Sequence, residues 1–254
     1  GTADADKAVL WNLGAGDDQV TGVKARPNLF TYKKGTKLLT GGDKDDTFYV
    51  ESAASELDRG TPPATLSMID GGEGSDTLTF EGARPPGDTR YVGYDVNLQT
   101  GKVALRSHDA TVDPVDVAQV KSVENVLTLR NGSNRITGSD GDNQISANGS
   151  DQVMAGSGND VIAIRGADCR VDGGSGMDRY IIPATSTRPV IIDDGEEVSV
   201  IEFTWALERI QRWQIIGTSM VITSLHGPDG EDLDHELTIE GVYQQVDSKR
   251  VLKN

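Results

Sequence analysis

One cysteine and three histidines are all the thiolate and imidazole ligands this chain of 254 residues carries. A lone Cys169 excludes an internal disulfide and a thiolate zinc cluster. Aromatic residues are scarce at 5%, and no apolar run approaches the ~18 residues of a membrane-spanning helix. Positive charge is short as well: 24 Lys+Arg against 40 Asp+Glu leave a net −16. That balance argues against nucleic acid and anionic lipid as partners, because both select basic surfaces, and no nucleic-acid role is expected. No signal-peptide pattern is present. Because the chain begins at Gly1 rather than Met, it is expected to be a module of a larger parent polypeptide, monomeric as a fragment.

What the chain has in plenty is aspartate and glycine. There are 28 Asp to 12 Glu, and 30 Gly. A solvated helical surface would favour Glu, the better helix former, whereas Asp and Gly suit turns. This composition predicts an all-β, turn-rich fold, and 36% hydrophobic residues place it well above a disordered chain.

A nonapeptide recurs, with Gly at its first, second and fourth positions, Asp at the sixth and a large apolar residue at the eighth. The cleanest copies are GGEGSDTLT (71–79) and GGSGMDRYI (173–181). Close variants are LGAGDDQVT (13–21), GGDKDDTFY (41–49), GSDGDNQIS (138–146) and AGSGNDVIA (155–163), and weaker ones occupy 129–137 and 147–154. Glycine lets the chain take the positive φ of a sharp turn, and the reading assigns that role to positions one, two and four alike. The next three residues make a short strand whose central side chain points inward: Val20, Phe48, Leu78, Ile136, Ile145, Val153, Ile162 and Tyr180. Two nonapeptides make one coil, so residues about 18 apart stack at the ~4.8 Å spacing of parallel strands. A lone repeat cannot bury its apolar residue, so stacking is obligatory.

These motifs resemble the RTX, or haemolysin-type calcium-binding, repeats of exported bacterial proteins. The segments SVENVLTL (122–129), TSMVITS (218–224) and ELTIEGVY (236–243) resemble the family's flanks. The resemblance implies a right-handed parallel β-roll (a β-solenoid) with inserted loops and hairpin and a C-terminal β cap, secreted to the extracellular space, with Ca2+ as cofactor. The expected division is a roll over 1–188, with a hairpin inserted around 82–121, followed by a β-rich capping segment over 189–254.

Asp160 and Asp178 are 18 residues apart and Asn143 lies 17 before Asp160, which predicts one ladder. Asp18, Asp46 and Asp76 are read as a second, on wider coils. Carboxylates stacked about 5 Å apart repel, and a hard cation with flexible oxygen coordination relieves them; calcium takes 6–8 such ligands. The best site is expected between Gly156, Gly158 and Asp160 and the turn of Gly174, Gly176 and Asp178. Further ligands are expected at Gly14, Gly16, Asp18, Asp43, Asp46, Gly72, Gly74 and Asp76, and at Asp142 and Asp151 in the weaker copies. Affinity in the ~10⁻⁴–10⁻³ M range of extracellular calcium modules would couple folding to export.

The segment 90–106 reads as a hairpin turning at 99–102, either projecting as a recognition surface or bracing the coil. Segments 189–192 and 198–203 read as strands, and 205–213 as one or two helical turns whose Trp205 and Trp213 seal the roll. No histidine pair, nucleophile elbow or phosphate cradle is present, Cys169 reads as a packing thiol, and no enzyme activity is expected. The function expected is a calcium-binding module of a secreted RTX-like toxin that binds a host cell-surface receptor or glycan. The alternatives are a passive secretion and folding module of an extracellular hydrolase or adhesin, and a metal-free structural solenoid.

Overall fold

Short strands separated by glycine–aspartate turns can bury their inward side chains only against the coils above and below, and this is how the chain folds. The computed structural model describes residues 7–50, 65–80, 91–128, 132–184, 186–192, 199–205, 210–226, 232–246 and 249–252. Every regular element among them is a β-strand. The stretch AASELDRGTPPATL (53–66), which its Pro62 and Pro63 mark in the sequence as a looped-out excess of a wide coil, falls, but for its last two residues, outside the described residues. So does the Pro- and Gly-containing segment 82–87 that punctuates the start of the inserted hairpin. The chain divides into two compact units, Gly1–Ser139 and Asp140–Asn254.

The first unit holds β1 (Val9–Ala15), β2 (Asp18–Thr21), β3 (Asn28–Lys34), β4 (Lys37–Gly42), β5 (Thr47–Val50), β6 (Ser67–Gly72), β7 (Thr77–Thr79), β8 (Tyr91–Asn97), β9 (Lys102–Ser107), β10 (Val115–Lys121), β11 (Asn125–Leu127) and β12 (Arg135–Thr137). Successive strands alternate between two sheets: β1, β3, β5, β7 and β11 neighbour one another in one, and β2, β4 and β6 in the other. All these neighbours pair in parallel, for example Phe30 with Phe48 and Phe48 with Leu78. Two strands and two turns thus close each coil of a parallel β-roll. The inward column is dry: Phe30 and Phe48 are 0% exposed, with their rings stacked in parallel and their centroids 4.9 Å apart. Each such side chain contributes on the order of 1.5–3 kcal/mol by leaving water.

The expected hairpin exists but does not project. β8 and β9 pair antiparallel around Gly101, whose φ is 72°. With β10 they form a meander spliced into the second sheet, in the order β6-β10-β9-β8-β12. Tyr94, Val96, Val103 and Leu105 are buried, and Tyr94 stacks on Phe80 at 4.1 Å. The alternating apolar residues on this insert need an inward face, and the sheet supplies one.

The second unit holds β13 (Gln144–Ala147), β14 (Gln152–Ser157), β15 (Val161–Ile164), β16 (Arg170–Ser175), β17 (Arg179–Ile182), β18 (Val190–Ile192), β19 (Val200–Phe203), β20 (Ile210–Ile216), β21 (Ser219–His226), β22 (Asp232–Glu240), β23 (Tyr243–Val246) and β24 (Lys249–Leu252). Here β13, β15, β17 and β19 stack in one sheet and β14, β16 and β18 in the other, which continues through β22, β21 and β20. β22 joins β18 in parallel, after which the chain folds as an antiparallel meander, while β23 and β24 pair separately.

Of the expected inward residues, Phe48, Leu78, Ile136, Ile145, Val153, Ile162 and Tyr180 are at most 2% exposed. Val20, in the first coil, is half-buried. Where helical turns are expected the chain instead runs as a strand from Ile210. Trp205 is buried against His235, with ring centroids 4.7 Å apart, whereas Trp213 is 61% exposed on β20 and seals nothing.

Candidate metal centre

In the repeat, the sixth residue ends the turn and immediately precedes the strand. Its side chain folds beneath its own turn and reaches back one coil, to the backbone N–H of the equivalent residue. In the second unit Asn143 N–H donates to Asp160 Oδ1 at 2.7 Å, and Asp160 N–H donates to Asp178 Oδ1 at 2.9 Å. The sequence separations are 17 and 18. In the first unit Asn28 N–H donates to Asp46 Oδ1 at 2.5 Å, Asp46 N–H to Asp76 Oδ1 at 2.7 Å, and Asp76 N–H to Glu124 Oε2 at 2.8 Å. Asp46, Asp76, Asp160 and Asp178 are at most 1% exposed.

Fifth-position residues make the complementary bond and reach forward one coil. Asp45 accepts from Ser75 N–H at 3.0 Å, Asp142 from Asn159 N–H at 2.7 Å, and Asn159 from Met177 N–H at 2.9 Å. Asp142 therefore stands on an exposed corner as a backbone acceptor. Adjacent turns are stapled in both directions by side-chain oxygens, with a hydrogen bond to a charged group typically contributing ~1.5–3 kcal/mol.

The second oxygen of each sixth-position aspartate separates two kinds of turn. In closed turns the carboxylate is satisfied from within: Gly42 N–H donates to Asp46 Oδ2 at 2.5 Å, and Asn148 N–H to Asp151 Oδ2 at 2.8 Å. In open turns it is not. Asp76 Oδ2 and Asp160 Oδ2 are buried and accept no hydrogen bond. The open turns are those with left-handed glycines at positions two and four, with φ of 104° and 122° at Gly72 and Gly74 and 116° and 114° at Gly156 and Gly158. Gly174 and Gly176, before Asp178, share that conformation at 90° and 126°. A buried ionised oxygen without a partner is costly, and both carboxyls respond. Burial, reinforced by the charges of Asp46, Glu124 and Asp45 and opposed by the Asp46 N–H, pushes Asp76 up to about 7. Burial, opposed by the Asn143 N–H and aided by Asp142, pushes Asp160 up to about 6.

The glycines pack as tightly as the carboxylates. A Cβ on Gly174 would overlap the Gly156 carbonyl oxygen, and one on Gly176 the Gly158 carbonyl oxygen. The open corners therefore present backbone carbonyls from adjacent coils beside a buried carboxylate. Among the described residues no three His, Cys, Asp or Glu side chains converge on one point. A cation here would take few carboxylates and several carbonyls, a hard oxygen set that suits calcium and no transition metal. The orphaned oxygens of Asp76 and Asp160 fit such an ion.

Three sequence expectations change. First-position glycines do not turn the chain: Gly41, Gly71 and Gly173 lack positive φ. They are needed because the carboxylates of Asp46, Asp76 and Asp178 lie where a Cβ would stand. Asp18 does not share a ladder with Asp46 and Asp76, because it begins β2 in the other sheet, in register with Lys37. Its corner, with Gly14 and Gly16, holds the Lys37 ammonium at 2.9 Å from Asp18 Oδ2. Asp43 lies at the rim, 3.7 Å from the exposed Lys24 ammonium.

Glu124 and Asn28 complete the first ladder without belonging to a recognisable repeat. The one signal for Glu124 was its place just before the short strand-forming run Asn125–Leu127 in SVENVL. Cys169 is buried against the Asn148 and Gly149 carbonyls, and burial pushes its thiol up to about 12, away from the reactive thiolate.

Residues 130–162 match the family model of the RTX calcium-binding nonapeptide repeat, in four copies. No curated protein matches the chain. The matched block is the stretch where nonapeptides follow one another without interruption, and the same turn geometry recurs outside it at 71–76 and 173–178. Residues 130–162 carry RTX calcium-binding nonapeptide repeats, and the described strands around them fold as a parallel β-roll.

Proposed function

We propose that this chain is the calcium-binding β-roll module of an exported bacterial protein, a toxin-like one, that folds on reaching external calcium and then binds a host cell-surface receptor or glycan. The observation that carries the calcium part is the pair of buried, unpartnered oxygens, Asp76 Oδ2 and Asp160 Oδ2, set beside left-handed glycine turns. Without a divalent ion these carboxylates oppose folding; with one they favour it. Binding stabilises only the folded state, so a calcium-poor cytosol keeps the chain loose and millimolar calcium outside compacts it. Secretion is what RTX repeats suggest, and a net charge of −16 suits a chain that trades with cations.

Recognition falls in this reading to the surface away from the turns, since the 91–107 hairpin is absorbed into a sheet. The exposed apolar side chains of β20, Trp213, Ile215 and Ile216, are the candidates. The module itself is non-catalytic in this reading. Far-ultraviolet circular dichroism and thermal melts in chelator and in about 5 mM calcium test the first part; an unchanged spectrum and midpoint would refute it. Binding of the calcium-loaded chain and of Trp213→Ala to host cells and a glycan panel tests the second. Binding that Trp213→Ala weakens is expected. No binding by either would leave a passive folding and secretion module.

A further inference from the structure

The Gly14–Gly16–Asp18 corner has the backbone of an open turn, with φ of 59° at Gly14 and 115° at Gly16, yet its carboxylate is met from within the protein. Lys37 begins β4 in register with Asp18, at the place in the next coil where a sixth-position acid would otherwise stand. Its side chain is fully buried, at 0% exposure. The ammonium lies 2.9 Å from Asp18 Oδ2 and donates to the Gly16 carbonyl oxygen. A carboxylate oxygen and a turn-glycine carbonyl are the two kinds of ligand a calcium ion would take there. The ladder continues around the substitution, because Lys37 N–H donates at 3.0 Å to Ser67 Oγ, an uncharged acceptor in the following coil.

We propose that Lys37 is a tethered cation standing in for calcium in the Gly14–Asp18 corner, so that the first coil holds together without calcium while the coils bearing Asp76 and Asp160 require it. An isolated buried ammonium would cost several kcal/mol, and a paired one is held only by good geometry and further acceptors. Lys37 has two such acceptors within reach, the Asp18 carboxylate as an ion pair and the Gly16 carbonyl oxygen as a hydrogen-bond acceptor. A lysine cannot dissociate, so this corner stays neutralised at any calcium concentration, and its ammonium repels a divalent ion from the same oxygens. The first coil then offers a preformed sheet edge on which calcium-dependent coils can stack, which removes the need to nucleate the roll and load it in one step. The inference rests on calcium being the ion of the open turns.

The test uses the whole chain and two readouts: calcium uptake by isothermal titration, and hydrogen exchange of the β2 and β4 amides. Wild type is expected to keep β2 and β4 protected in chelator. Lys37→Met, which keeps the bulk and removes the charge, is expected to lose that protection in chelator at least tenfold. Millimolar calcium should restore it, with one additional ion bound. Lys37→Arg should retain the wild-type count, and the neutral pair Asp18→Asn with Lys37→Met should fold without gaining an ion. An unchanged ion count in Lys37→Met, wild-type β2 and β4 amides that lose protection in chelator, or failure of Lys37→Met to fold even in calcium would each overturn the proposal. Absence of calcium uptake by the wild-type chain would instead overturn the reading of the open turns.

Discussion

Asp160→Asn separates the two roles of a sixth-position aspartate. The amide keeps an oxygen to accept the Asn143 N–H, made at 2.7 Å in the wild type, and removes the charge from the oxygen that has no hydrogen-bond partner. The wild-type carboxyl is raised from 3.8 to about 6. At ~1.36 kcal/mol per pH unit, keeping it ionised at pH 7.5 in a calcium-free fold costs up to about 3 kcal/mol. The variant escapes that cost, so in chelator it should be more stable than wild type, by on the order of 1–3 kcal/mol. In calcium the order should invert. An ion held at ~10⁻⁴ M and supplied at about 10 mM contributes about 2.7 kcal/mol, and the variant loses most of it along with the anionic ligand. Urea unfolding of both proteins, in chelator and in calcium, reads the crossing directly. Equal destabilisation in both buffers would show that Asp160 is a staple only and would refute the reasoning.

The same carboxyls set a pH dependence. Asp76 and Asp160 bind protons more tightly folded than unfolded, with raised values of about 7 and about 6, so in chelator their contribution to stability falls as pH rises from about 4 to about 7. Chelated protein should therefore unfold at higher urea at pH 5 than at pH 7.5, and saturating calcium should flatten or reverse the trend; a chelated protein most stable at pH 7.5 would contradict it. Gly176→Ala places a Cβ at φ 126° against the Gly158 carbonyl, and strain of about 1–3 kcal/mol is expected, lowering both the melting temperature and the calcium response. Gly141→Ala, with nothing within 4 Å of the added carbon, should change stability by less than about 0.5 kcal/mol. Ile162→Ala empties a fully buried site in the inward column and should cost about 2–5 kcal/mol in calcium-loaded protein by urea unfolding.

The nonapeptide itself determined a good deal. Its apolar eighth residue and its spacing of 17 to 18 residues marked the strands, the inward column and the partners Asn143, Asp160 and Asp178. These are local properties: a turn's φ values and a strand's alternation are set within nine residues, so they can be read wherever the motif survives. What the motif could not carry was the fate of each oxygen. Asp46 and Asp76 sit in turns that differ at position four, Lys44 against Gly74, but that difference alone does not say that Gly42 N–H closes one carboxylate while the other is left open; the second-position glycine is left-handed in only one of the two turns. Glu124 serves Asp76 from 48 residues away, and the hairpin was absorbed into a sheet because its apolar faces found one beside them. Lys37 entered an acidic corner because coil packing brought it into register with Asp18. Burial, hydrogen-bond supply and charge at a corner belong to neighbouring coils, and only stacking decides which residues those are.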